Sequence, residues 1–220
     1  MVIAEQFGTL ESLYPGRIDL GLGRAPGGDQ LTARALRGAN YKHEKDFGEL
    51  ISELEFFFAP AKKNQKIKAI PGAGLNIPFY ILGSSHYSAH LSARLGLPYA
   101  FAGHFAPRHH EEAFAIYRNE FEPSETLKEP YVMLGLPVIG AESDEKADYL
   151  ATSLQQAFLG IIRGNRTLSS PPVEDMDQIW DGREKAFVQS MLDLLVTGSP
   201  WTLRKKLDEI IARTGADELI

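Results

Sequence analysis

Apolar residues recur along the chain in two rhythms. Ile3, Phe7, Leu10 and Tyr14 fall at helical spacing, so residues 2–13 are predicted as an amphipathic helix stopped by Pro15-Gly16. Ile18, Leu20 and Leu22 then alternate, which predicts a strand over 17–23 entering the loop Ala25-Pro26-Gly27-Gly28-Asp29. Phe47, Leu50, Ile51, Leu54, Phe57 and Phe58 share one face of a helix over 44–58. Residues 59–77 are rich in Pro, Lys, Gly and Asn and read as an excursion with a short strand near Ile67. From there the rhythms alternate. Strands are predicted over 78–83, 98–103, 131–139 and 216–220, and helices over 86–95, 110–121, 144–162 and 183–197. Ser143 caps the helix at 144, a polar loop covers 163–175, and Ser199-Pro200 opens a last helix that Gly215 closes.

Strands alternating with helices indicate an α/β fold, a parallel sheet with helical crossovers. The barrel-type strands are 17–23, 78–83, 98–103, 131–139 and 216–220. A complete (β/α)8 TIM barrel has eight and runs to about 250 residues. An open doubly wound sheet could also be built from five. The pattern starts within a helix and stops within a strand, which points to an incomplete barrel lacking its first three βα units and its last helix. No linker, repeat or low-complexity tract divides the chain, so residues 1–220 are expected to form a single partial-barrel domain.

Composition narrows the function classes. Lys plus Arg is 23 against 29 for Asp plus Glu, a net charge of −6. Nucleic acid and anionic membrane both select a basic surface, so neither is an expected partner. The absence of cysteine removes disulfides, thiolate metal sites and Cys nucleophiles, and fits a cytoplasmic protein. No stretch approaches the ~20 apolar residues that span a bilayer.

Few segments could carry chemistry. Gly21-Leu22-Gly23-Arg24-Ala25-Pro26 follows a strand but has Pro26 where a dinucleotide fingerprint has glycine, so that reading is weak. A loop here could bring Arg24 to a phosphate; on spacing alone a Pro/Gly turn with a surface arginine is the better account. Gly83-Ser84-Ser85 joins a buried strand to a helix at Ser88-Ala89, where helix N–H groups and hydroxyls suit a phosphate. The plain alternative is that Ser84 or Ser85 only caps the helix. Barrel sites at strand C-termini favour the phosphate. The histidines are His43, His86, His90, His104, His109 and His110. His86 and His90 have i, i+4 spacing but no HExxH pattern, so surface histidines explain them better than a metal, and no metal site is expected. His104 follows a strand and serves either a pocket or a structural role. His109-His110 belong to the exposed start of a helix. Glu111-Glu112 and Asp144-Glu145 sit in first helical turns, where the helix dipole accounts for them.

These segments resemble the bacterial luciferase-like, flavin-dependent monooxygenases. The resemblance is carried by Ala4-Glu5-Gln6-Phe7-Gly8-Thr9-Leu10, by Tyr14 through Gly27, and by Leu82-Gly83-Ser84-Ser85 with Tyr87-Ser88-Ala89. Gly96-Leu97-Pro98-Tyr99, His104-Phe105-Ala106-Pro107 and Thr214-Gly215-Ala216-Asp217-Glu218-Leu219 extend it over essentially the whole chain. It implies a (β/α)8 barrel that takes reduced FMN, or in some branches a deazaflavin, from a separate flavin reductase, and uses O2 as co-substrate to oxygenate a small organic molecule. It assigns Arg24 and Gly83 to the cofactor site, Ser85 and Ser88 to the phosphate turn, and Ser84 to a place nearer the ring. It names no catalytic residue here, since the family's histidine motif belongs to the roughly three βα units that precede this sequence in complete barrels. It also implies homo-oligomers, through helices equivalent to residues 2–13. Two further readings stand beside it. One is a non-catalytic flavin-binding or structural remnant of the family. The other is an open α/β sheet holding another phosphorylated ligand.

Overall fold

The computed structural model describes residues 1–25, 30–37, 46–165 and 168–220. It divides into two compact units, residues 1–83 and 84–220.

In the first unit, helix α1 (Val2–Leu13) buries Ala4 and Gly8. It lies directly on backbone: a Cβ added to Gly8 would stand 2.4 Å from the Gly72 Cα, and one on Gly72 2.4 Å from the Ala4 carbonyl oxygen. Strand β1 (Leu20–Gly23) runs parallel to β2 (Phe79–Gly83), in register from Leu20↔Phe79 to Gly23↔Leu82. Helix α2 spans Gln30–Arg37. Helix α3 (Phe47–Phe58) starts at Asp46, whose carboxylate accepts from the Gly48 N–H at 3.1 Å. It buries Ile51, Leu54, Phe57 and Phe58, and the Phe58 ring meets Phe79 edge-on at 5.7 Å. Leu50, expected on that face, points outward and is exposed. The excursion over 59–77 holds turns and no strand, so the expected strand near Ile67 does not form. The glycine-rich loop at 26–29 and the expected helix start at 44–45 lie outside the described residues.

In the second unit, β3 (Tyr99–Ala102), β4 (Val132–Gly135) and β7 (Glu218–Leu219) form a parallel ladder. Its core is aromatic. Tyr99, Phe101, Phe114 and Tyr117 pack with Val132 and Leu134, all almost fully buried. Helices α4 (His86–Leu95) and α5 (His110–Asn119) cover it through Ala89, Ala93 and Ala113, small residues that allow close approach. Helix α6 (Asp144–Ile162) begins at Ser143, whose hydroxyl accepts from the Lys146 N–H at 3.2 Å, as predicted. Helix α8 (Pro200–Thr214) has Ser199 at its N-cap and closes at Gly215.

Two expectations are corrected. The strand over 131–139 is two strands, because Pro137 interrupts it: β4 ends at Gly135, and β5 (Val138–Gly140) pairs elsewhere. Its partner is β6 (Val196–Gly198), parallel and in register from Val138↔Val196. That strand occupies the end of the predicted helix over 183–197, so α7 spans only Gly182–Met191.

A second core (Leu159, Met176, Trp180, Val188, Leu192) joins α6 to α7. Beside it the Arg163 Nε and Nη2 donate to the two Glu184 oxygens, both at 2.7 Å, and the Asp181 N–H donates to Glu184 Oε2 at 2.9 Å. The arginine first, and then the Asp181 amide, hold the Glu184 carboxyl down at about 2 from an ordinary 4.5. A lowered carboxylate contributes stability in full above its ordinary value and loses it as pH falls through the lowered one. Wild type should therefore be more stable than Glu184→Gln near neutral pH, and the gap should narrow between about pH 4.5 and about pH 2. Chemical denaturation across that window checks it; a gap that does not change with pH contradicts the assignment.

Among the described residues no helix is long and apolar enough to cross a membrane.

Candidate functional site

The strand–helix turn at 83–88 is built from its backbone. Strand β2 ends at Gly83, Ser84 is half-buried, and Ser85 holds the N-cap of α4 in extended conformation (φ −145°, ψ 162°). The Ser85 side chain is exposed and makes no capping bond, so it does not take up the amide donors of the first turn. Those donors and the positive end of the helix dipole form a setting for an anion.

Ser88 faces the other way. It is 6% exposed, and its hydroxyl donates to the Ser85 carbonyl at 2.7 Å. It also lies 3.1 Å from the Tyr99 hydroxyl, which itself donates to the Ser85 carbonyl at 3.3 Å. Two hydroxyl protons thus serve three contacts. Burial pushes the Tyr99 phenol up to about 12, with the Ser88 bond working in the opposite direction, so it stays a neutral donor. Ser88 and Tyr99 hold the Ser85 backbone in place from beneath.

The histidines are distributed differently from the sequence pattern. His86 and His90 do not share a ligand. The His86 Nε2 lies 3.1 Å from Glu112 Oε2, and the His90 Nδ1 lies 2.6 Å from Glu120 Oε2. His109 is exposed and sets its ring edge-on to His86 at 6.1 Å, whereas His110 is buried, contrary to expectation. The His110 Nδ1 reaches the Pro107 carbonyl at 2.5 Å, and its ring packs on Phe101 and Phe114. His104 is half-buried past the end of β3, its ring tilted against Phe105 at 4.1 Å and beside Gly135 at the end of β4. His43 lies outside the described residues.

In the first unit, Arg24 is exposed immediately after β1. The ladder pair Gly23↔Leu82 puts Arg24 and Gly83 at the same end of that pair of strands. Of the acidic clusters, Asp144 is structural in a way the dipole alone did not predict. It accepts from the Ser199 N–H at 2.6 Å and the Thr202 hydroxyl at 2.9 Å, and the Ser199 amide above all holds its carboxyl below the usual range. Glu112 reaches across to α4, a contact with no local sequence signal because its partner is on another helix.

Comparison with known proteins agrees with this architecture. The model of the luciferase-like monooxygenases matches residues 1–218. The chain belongs to that family. Its relatives include an uncharacterised Bacillus subtilis protein, YvbT, 52% identical, and an Escherichia coli luciferase-like monooxygenase, 46% identical. In both alignments all of this chain matches 66% of the relative, so the chain spans about two thirds of their length. The crystal structure of MsnO8 without ligand superposes with a TM-score of 0.78 at 29% identity, covering 99% of this chain and 65% of that one. Two more distant solved structures share a TM-score of 0.61 and show the fold alone. One is the oxygenating component of a Pseudomonas putida diketocamphane monooxygenase in complex with FMN, at 17% identity, and the other an F420-dependent secondary alcohol dehydrogenase, at 13%. The family fold is thus an α/β TIM-barrel type, here in incomplete form.

Proposed function

We propose that this chain is the phosphate-holding part of a flavin-dependent monooxygenase that uses reduced FMN and O2 on a small organic substrate. The observation that carries the reading is the α4 N-terminus, whose N-cap side chain leaves the first-turn donors to another acceptor. A phosphate dianion suits such donors and the dipole behind them. Ser84 and Ser85 would add hydroxyls, while Ser88, turned inward to the Ser85 carbonyl, holds the turn in shape. Arg24 and Gly83 are assigned to the cofactor by the family pattern. When bound, reduced FMN supplies the electrons that O2 activation needs, so the protein's share is to orient the cofactor and exclude water. A separate flavin reductase in the cytoplasm would deliver it. Helix α1 leaves Val2, Ile3, Leu10 and Leu13 exposed, which supports a homo-oligomer.

The coverage of two thirds of the relatives favours a second reading, a flavin binder that does not turn over by itself. Both readings need the cradle. Anaerobic titration with reduced FMN, with oxidised FMN and riboflavin as controls, should show FMN bound more tightly than riboflavin. Ser84→Ala/Ser85→Ala should weaken FMN by about tenfold or more, since a hydrogen bond to a charged group is worth about 1.5–3 kcal/mol. Equal affinity for FMN and riboflavin, or no effect of the double variant, overturns the assignment. Oxygenation of any substrate by the bound complex separates the first reading from the second.

A further inference from the structure

We propose that His86, His109 and Glu112 form a binding site for a divalent transition-metal ion, with zinc the best match. One ligand atom from each residue falls within 4.8 Å of the other two. The His86 Nε2 is already 3.1 Å from Glu112 Oε2. In a tetrahedral zinc site, bonds of about 2.0–2.2 Å place neighbouring ligand atoms about 3.3–3.5 Å apart. Closing the triangle therefore asks the ligand atoms to converge by at most about 1.5 Å.

A second observation points to a ligand. The His86 Nε2 is shielded from solvent, yet it makes no hydrogen bond, because its approach to Glu112 lies outside bonding geometry. A covered ring nitrogen whose neighbouring carboxylate makes no hydrogen bond to it is unusual, and a metal between the two would satisfy it. Two imidazoles and one carboxylate are a zinc donor set that leaves a fourth position open to water or an anion. The ligands come from three places: the first residue of α4, the short 3-10 turn Pro107–His109, and the first turn of α5. A bound ion would tie the start of α4 to the start of α5. The inference does not depend on flavin binding. His90 offers an internal control, since it is taken by Glu120 further along the same helix.

The test is isothermal titration of metal-free full chain with zinc chloride, with cobalt(II) absorption as a second readout. Wild type should bind one equivalent, melt at higher temperature when loaded, and give the visible cobalt bands of a tetrahedral site. His86→Gln, His109→Gln and Glu112→Gln should each weaken zinc by at least about tenfold, since even second-sphere changes cost that much, and His90→Gln should not. No saturable equivalent in wild type, or wild-type binding in all three variants, overturns the proposal. Should His86→Gln fail to fold, Glu112→Gln decides, because its side chain is 65% exposed and carries no core packing.

Discussion

Replacing Phe101 with alanine should lower the free energy of unfolding by about 3–5 kcal/mol, the range for emptying a large aromatic site. Phe101 is 1% exposed, and its ring touches three others: Tyr99 at 6.2 Å, Phe114 at 5.9 Å and His110 at 6.4 Å. Edge-to-face aromatic pairs add to the loss of buried area. The neighbours cannot collapse into the hole. Tyr99 is held by its hydroxyl to the Ser85 carbonyl, Tyr117 donates to the Leu97 carbonyl at 2.9 Å, and His110 is tied to Pro107. Urea denaturation measures the change. A loss below about 1 kcal/mol would show that the site refills, and the core would then be looser than its packing implies.

Gly96→Ala should cost about 2–4 kcal/mol, from two sources that Gly215→Ala separates. Both glycines end a helix in the left-handed region, with φ of 60° at Gly96 and 61° at Gly215. At Gly215 the atoms nearest an added Cβ belong to the Arg118 guanidinium, at 3.2 Å, a side-chain tip that donates to the Thr214 and Gly215 carbonyls, so about 1 kcal/mol of backbone strain is joined there only by a loosening of those bonds. At Gly96 the Cβ would stand 2.5 Å from the Glu122 carbonyl oxygen and 2.9 Å from the Ser124 nitrogen. That backbone is itself anchored, since Glu122 N donates to Ala93 O at 2.9 Å and the Ser124 hydroxyl to Gly96 O at 2.9 Å. The larger cost should therefore appear at Gly96. Equal losses at the two positions, read by thermal or chemical denaturation, would assign the whole effect to strain and none to crowding.

Much of the architecture was legible because local signals agreed with one another. The Ser143 cap, the Ser199-Pro200 start and the Gly215 close all mark the ends at which their helices are observed. The strand over 131–139 misled because Val132, Leu134, Leu136 and Val138 keep the alternation running through Pro137, and the proline was the overriding signal. Strand β6 hid in Leu194-Leu195-Val196, an apolar run too short for periodicity to tell strand from helix. The turn at 83–85 could be found because a helix N-terminus after a buried strand is a local feature. The grouping of His86 with Glu112 could not, since it depends on how α4 packs on α5. Spacing also drew attention to His86 with His90, whereas packing gives each its own carboxylate.

The interruption at Pro137 also governs how disturbance spreads. The Leu136 N–H donates to the Ile220 carbonyl at 3.0 Å and so belongs to the β3–β4–β7 ladder, while the very next carbonyl, of Pro137, accepts from Val196 N at 3.0 Å and belongs to β5–β6. The chain passes from one ladder to the other across a single residue that has no amide to share. Among the described residues the two ladders are joined covalently but by no rung, so a slip of register or a local opening in one meets a joint rather than a continuation. The short pair β5–β6 is packed against the α6 and α8 helices, so its amides should open to water with those helices rather than with the other ladder.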